Sequence, residues 1–548
     1  MNMRELPSDI LHLVLQRSFI EQFGAGPTLK ANLHLLAVCR RWRHIALSVV
    51  YGSVFVQYGE RHILGGQQQP AEEEEEEEEP ADVRCVTNLQ LVAAAGCVQR
   101  VRRVVFDVNF LTSPFPGLAG VMRLMSGAAP VWLGARELEI SMHAGFYPLG
   151  NEDAPSAGDC EADVRTAVDV LAAMMPQVRK LYFGGMSHSP VARELYGRLA
   201  GSYAGQLLVL GSRHSISVPR DVEFQQLTDA RIEYDQKDGH RLPRIDPRQL
   251  RKLVLAGWPP NHSWATFAGG DGNSNGGSRA IRFPQLRTLD AVYYGEHSED
   301  DVGHNNSDGQ PWELHFPALQ RLELKCARNT CALLEHAVLP SHLDTISIEV
   351  TAAALRAAPR LRLPSARYLV LNIQPGPTTG PGGFSAINRV LEDSYGSEEM
   401  VLAIHDYMVP VSPELITCMS LTRLWVSAPT GVDAMLDMVQ RLPRLRSLKI
   451  CHLVLDDVQS DISNPELDKG WPVAPFATSI TRMSINRSRA EVSDEMLTSV
   501  VKYLLLRIPT MEKFAAIGAT PAQIAEFVNV HGDQYPHLKK VRFEFFNR

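Results

Sequence analysis

The chain has 548 residues, beyond the size of one hydrophobic core, so several domains or an elongated repeat are expected. Its formal charge of −8 is local in origin: Glu72 to Glu79 are eight consecutive glutamates, and outside them acids and bases balance at 54 each. That balance argues against nucleic-acid or acidic-membrane binding, which needs a basic excess, and the eight scattered cysteines lack the CxxC pairs of a zinc site.

The first element is "RELPSDILHLVLQRSFI", residues 4–20. Pro7 stands where a helix start tolerates it, and Ile10, Leu11, Val14, Leu15 and Phe19 form a broad apolar stripe. A second helix follows in "LHLLAVCRRWRHIAL". There Leu35, Val38, Cys39, Trp42, Ile45 and Ala46 share one face, with Arg40, Arg41, Arg43 and His44 opposite. So few residues make a marginal core, and apolar surface is left for a partner. Charged residues Arg4, Glu5 and Asp9 exclude a signal peptide, and no apolar run is long enough to span a bilayer. The expected location is intracellular, cytoplasmic and/or nuclear, with reduced thiols.

Residues 1–58 are therefore expected as a helical module. The Gly-, Gln-, Pro- and Glu-rich residues 59–84 should form a solvated, disordered linker, since a run of like charge repels itself and buries no surface.

From there to residue 548 the chain repeats a short phrase, an apolar residue and proline followed by L-x-x-L-x-apolar. Examples are "MPQVRKLYF" at 175–183, "FPQLRTLDA" at 283–291, "FPALQRLEL" at 316–324, "LPSARYLVL" at 363–371 and "LPRLRSLKI" at 442–450. With versions lacking the proline, about sixteen recurrences can be counted, "DARIEY" and "EEMVLAI" being the weakest. The alternation is that of a strand with one buried face, and proline just ahead stops any preceding helix. Returning segments are helical at 163–176, 432–442 and 493–508, and polar and loop-like at 268–278 and 295–309. The expected fold class is α/β, parallel strands joined by returning helices or loops, with an ordinary α/β domain as the alternative.

This pattern resembles an irregular leucine-rich-repeat solenoid over residues 85–548. The family's usual asparagine after the strand is replaced, for instance by Trp258, Ala327 and Leu453.

With Leu6-Pro7, Asp9, Ile10-Leu11 and then "AVCRRWRHIA", residues 4–50 are similar to the F-box. The intervening "EQFGAGPTLKANL" is longer than the family's usual connection. The resemblance implies a small helical bundle that docks on the Skp-type adaptor of a cullin–RING (SCF-type) ubiquitin ligase. Leu6, Pro7, Ile10, Leu11 and Val14 would enter the adaptor-binding module, with Leu35, Val38, Cys39 and Trp42 in its core or at its edge. An F-box ahead of leucine-rich repeats implies a substrate-recognition subunit whose repeats hold a target protein. The alternative is a ubiquitin-independent repeat scaffold or ligand-binding protein, with the opening helices as a cap.

No catalytic signature stands out. Gly272 to Gly276 matches G-x-S-x-G around Ser274 but lies in a Gly/Asn/Ser-rich stretch, without the strand–turn–helix a nucleophile elbow needs. His297 and His304 among acids read as a polar loop rather than a metal site. The chain is expected to be no enzyme, to need no cofactor or metal, and to bind neither nucleic acid nor membrane. If strand leucines point inward, their neighbours line a concave face. Target-binding candidates there are Tyr182, Lys252, Arg321, Tyr368, Arg423, Trp425 and Arg482, since aromatics and arginine most often anchor interfaces.

Overall fold

The computed structural model describes residues 51–60, 83–110, 125–144, 161–184, 190–215, 222–233, 244–256, 280–292, 313–325, 330–358, 360–374, 396–404, 420–454, 478–487 and 494–546, with a few isolated positions between them. They fall into two compact units, one of residues up to Leu250 and one from Arg251 onward.

The first unit contains β1 (Ser53–Glu60), β2 (Val83–Thr87), β3 (Arg103–Phe110), β4 (Glu137–Ala144), β5 (Lys180–Gly184), β6 (Val209–Ser215), β7 (Glu223–Phe224), β8 (Asp229–Glu233) and β9 (Arg244–Ile245). Its helices are α1 (Leu89–Ala94), α2 (Glu161–Met174) and α3 (Pro190–Tyr203). Strands β1, β3, β4, β5, β6 and β8 pair in parallel, each with the next, while β2 pairs antiparallel with β1. Val54, Val104, Leu138, Leu181 and Leu210 align in one buried row across this sheet. On that side Tyr196 of α3 stacks on Phe183 at 4.3 Å, and the Tyr203 hydroxyl donates to the Leu171 carbonyl of α2 at 3.2 Å.

Residues 53–58, assigned to the helical module, are part of a sheet strand. Residues 61–82, with the glutamate run, connect two strands that pair antiparallel, Glu60 opposite Val83. Residues 61–82 themselves lie outside the described residues.

The second unit carries β10 (Lys252–Ala256), β11 (Ala280–Arg282), β12 (Thr288–Val292), β13 (Glu313–His315), β14 (Arg321–Lys325), β15 (Ala337–Val338), β16 (His342–Thr351), β17 (Ser365–Gln374) and β18 (Glu399–Ile404). It continues with β19 (Arg423–Gly431), β20 (Ser447–Val454), β21 (Arg482–Arg487), β22 (Lys513–Ile517) and β23 (Arg542–Phe546). Helices α4 (Thr330–Glu335), α5 (Ala352–Ala357), α6 (Val432–Arg441), α7 (Asp494–Arg507) and α8 (Pro521–His531) lie between strands. The main ladder runs β10, β12, β14, β16, β17, β18, β19, β20, β21, β22, β23, parallel throughout. Strand order follows chain order, as in a stacked repeat; a doubly wound α/β sheet reverses order at a switch point.

The recurring phrase explains this ladder. In "FPQL" the Leu286 N–H reaches back to the Phe283 carbonyl at 3.4 Å, and in "FPAL" Leu319 does the same to Phe316 at 3.3 Å. Proline, with its fixed φ, occupies the second position of each tight turn, where its missing N–H costs nothing. The turn delivers the chain to a staircase in which two successive N–H groups converge on one carbonyl of the preceding repeat. Arg287 and Thr288 donate to Arg251, Gln320 and Arg321 to Arg287, and Thr481 and Arg482 to Arg446. In the returns ahead of β12, β14 and β16, the short strands β11, β13 and β15 form a narrow second parallel ribbon. Behind it Phe283 stacks on Phe316 at 5.1 Å.

Two buried rows hold the sheet to this layer. The first runs Leu253, Leu289, Leu322, Ile346, Leu369, Met400, Leu424, Leu448, Met483 and Phe514. The second, two residues on, runs Leu255, Ala291, Leu324, Ile348, Leu371, Leu402, Val426, Ile450, Ile485 and Ala516. Burying each large aliphatic side chain contributes about 1.5–3 kcal/mol, so the rows dominate cohesion between repeats. Leu453, at a usual asparagine position, is itself fully buried on β20. Among the described residues no helix is long and apolar enough to cross a membrane.

Candidate interaction face of the sheet

Because strand side chains alternate, residues between the buried rows form the opposite, solvated face. In the second unit its first row is Lys252, Thr288, Arg321, Thr345, Tyr368, Glu399, Arg423, Ser447, Arg482, Lys513 and Arg542. Five of the residues singled out from sequence, Lys252, Arg321, Tyr368, Arg423 and Arg482, therefore share one register row. Trp425 stands in the adjacent row, two residues along its strand.

Tyr368 is 38% exposed and Trp425 40% exposed. Trp425 lies in register with Val401, and Val401 with Val370, so half-buried valines join the two aromatics into an apolar patch across β17, β18 and β19. Two residues of β20 hold the Trp425 indole: Nε1 donates to the Cys451 sulfur at 2.7 Å, and Lys449 Nζ sits 3.8 Å from the ring centroid. Such a cation over an exposed indole contributes about 0.5–1 kcal/mol.

Charge is unevenly spread over this face. On β14, Glu323 accepts from Arg321 at 2.7 Å and from Lys325 at 2.5 Å. Burial works to raise the Glu323 pKa, but those two hydrogen bonds and charges outweigh it and hold the carboxyl below its usual range. Glu349 on β16 accepts from Gln374 at 2.8 Å. On the far side of the patch Arg423 pairs with Glu399 at 3.1 Å and Lys513 with Glu544 at 2.8 Å. Arg482 and Arg542 are exposed and form no ion pair among the described residues.

Tyr182 belongs to the first unit and differs in setting. It is half-buried on β5, with Arg103 bridging Glu137 at 3.0 Å and Glu139 beside it, and its ring lies over Gly211. Burial first, then the Glu137 charge, raise its phenol pKa, with Arg103 opposing.

The alternating frame needs one adjustment. It assigns Lys540 to the solvated strand face, whereas Lys540 ends a short 3-10 helix, Pro536–Lys540, and β23 begins at Arg542. The frame also passes over Val370 and Val401, which complete the patch, and their place between Leu369 and Leu371, and between Met400 and Leu402, is the signal that finds them. The adaptor-binding residues Leu6, Pro7, Ile10, Leu11, Val14, Leu35, Val38, Cys39 and Trp42 lie outside the described residues, as do Ser274, His297 and His304.

No family model matches the sequence, and no curated protein matches it. Among solved structures, a chain from the crystal structure of the Rad7 and Elc1 complex in yeast aligns at 10% identity. The alignment covers 79% of this chain and 82% of that one, with a TM-score of 0.23, too low a likeness to carry an argument.

Proposed function

We propose that this protein is a non-catalytic substrate-recognition subunit of an SCF-type ubiquitin ligase. Residues 4–50 dock on the Skp-type adaptor, and the solvated face of the second unit holds a target protein. The observation that carries the reading is the alignment of Tyr368, Arg423 and Arg482 in one row beside exposed Trp425. It follows an N-terminal stretch, "LPSDIL" then "AVCRRWR", of F-box type. Large exposed aromatics flanked by arginines are the usual anchors of protein interfaces. The mechanism is proximity: holding a target lysine near a charged conjugating enzyme raises its effective concentration without chemistry in this chain.

The test is co-elution of the full-length protein with the Skp-type adaptor. The wild type should form the complex and Leu6→Ala/Pro7→Ala should lose it. No complex, or undiminished binding by the variant, sinks the proposal.

One observation favours a second reading, a scaffold in which the opening helices cap the repeats. β1 starts at Ser53, and the Gly52 carbonyl already accepts from Arg102 and Arg103, so the sheet begins immediately after the F-box-like stretch. Deleting residues 1–50 then lowers the stability of the first repeats, read as a fall in Tm, rather than removing one interaction.

A further inference from the structure

The charge on the second unit's sheet face changes sign along the ladder. Strands β12 to β16 present Asp290, Glu323 and Glu349 against Arg321 and Lys325. Strands β18 to β23 present Arg423, Lys449, Arg482, Lys513 and Arg542 against Glu399, which pairs with Arg423, and Glu544. The patch of Tyr368, Val370, Val401 and Trp425 lies at the near edge of this basic half. Cations and aromatic patch are thus contiguous, in a chain otherwise balanced outside its glutamate run.

The geometry points to an acidic, extended protein segment as the occupant, its apolar residue on the Trp425 patch and its carboxylates along Arg423, Arg482 and Arg542. This rests on the reading of the same face as a target-binding surface and names the chemistry of the target. Strands lie about 4.8 Å apart, so the row from Arg423 to Arg542 covers roughly 19 Å and the approach from Tyr368 roughly 10 Å more. An extended chain rises about 3.3 Å per residue, so about nine residues span the whole surface. Carboxylates three residues apart, about 10 Å along such a chain, then fall near alternate strands, matching Arg423, Arg482 and Arg542, which are two strands apart in register. Complementary charge steers such a segment to the face, and the desolvated aromatic patch fixes its register.

The experiment uses full-length protein and fluorescein-labelled peptides, read by anisotropy. One peptide has two leucines followed by six glutamates, a second two alanines and six glutamates, a third two leucines and six lysines. The first should bind, the second at least threefold more weakly, and the third not at all. Arg482→Gln/Arg542→Gln should weaken the first peptide at least tenfold, and Trp425→Ala at least fivefold. Arg441→Gln, exposed on helix α6 rather than on the sheet face, should change it less than twofold. Raising salt should weaken binding, as screening requires.

Absence of binding, equal binding of the lysine peptide, or indifference to both face variants overturns the inference. So does tighter binding of a single-stranded oligonucleotide than of the glutamate peptide. Adaptor co-elution is measured on the same samples. Its loss with peptide binding intact removes the ubiquitin-ligase reading alone, and the converse removes only this one.

Discussion

The Tyr182 ring lies across the backbone of Gly211, its register partner on β6: a β-carbon on Gly211 would stand 2.7 Å from Tyr182 Cδ1. A glycine inside a strand often marks such a close approach. Gly211→Ala should therefore destabilise the first unit by about 1–3 kcal/mol through overpacking. Adding Tyr182→Ala should relieve the clash, so that urea unfolding of the double variant departs from additivity by at least about 0.5 kcal/mol. Strict additivity would mean that the ring is not what the glycine accommodates.

Arg321 and Leu322 are adjacent in sequence and lie on opposite faces of β14. Leu322 is fully buried between Leu289 and Ile346 in its row, so Leu322→Ala should cost about 2–5 kcal/mol, the lost transfer energy plus a cavity. Arg321 is exposed and loses only a surface ion pair, about 0–1 kcal/mol. Denaturant midpoints of the two variants check the register directly, since a one-residue slip would exchange the two outcomes.

How far the chain is legible follows from which signals are local. The repeat ladder reads directly from "FPQLRTLDA" and its relatives, because proline at a tight turn and alternating leucines are fixed within nine residues. Helix α6 reads for the same reason from Val432, Met435, Leu436, Val439 and Leu442, all buried except half-buried Leu436, whereas buried Met438 is not picked out by that stripe. Helix α3 carries an equally plain stripe in Ala192, Leu195, Tyr196, Leu199, Ala200 and Tyr203, but it sits among glycines and arginines that weaken the signal. The pairing of β1 with β2 across 22 intervening residues is not legible, because a like-charge run in between carries no record of what its two ends meet. The division at Leu250 is likewise invisible, since the repeat phrase continues through it. For the interaction face, residue types and frame are legible, whereas the junction of Trp425 with Val401, Val370 and Tyr368 depends on pairing between strands.

Glu323 sets a pH dependence whose sign is determined. Its carboxyl is held below the ordinary glutamate value of 4.5 by Lys325 and Arg321, despite burial. A depressed folded-state pKa stabilises the fold above the unfolded value, and that contribution is lost as pH falls through the lower folded value. Glu323→Gln should thus be less stable than wild type at pH 7, with the difference in Tm shrinking toward zero below the folded pKa. A gap that stays constant from pH 7 to pH 3 would show that the carboxylate's charge is not what the two cations stabilise.

Three cysteines of known setting should differ sharply in reactivity, because the thiolate is the species that reacts. Cys331 is buried on α4; burial, with Glu335 adding to it, pushes its thiol up to about 12. At pH 8 only about one such thiol in ten thousand is then ionised, and that one is out of reach. Cys97 is buried and its sulfur lies 3.4 Å from the Ala95 carbonyl, so access limits it too. Cys451 is half-exposed on the solvated face, its sulfur accepting from the Trp425 indole N–H at 2.7 Å. With iodoacetamide and peptide mapping, Cys451 should label first of the three in native protein, and Cys97 and Cys331 only in denaturant. Labelling at Cys451 removes the sulfur as the acceptor for Trp425 Nε1, so the indole fluorescence should change in step with it. Trp425→Phe should abolish that fluorescence change while raising the labelling rate, since no indole N–H then engages the sulfur. Labelling of Cys331 at the rate of Cys451 would mean that α4 opens in the native state, and an unaltered rate in Trp425→Phe would mean that the indole does not shield the thiol.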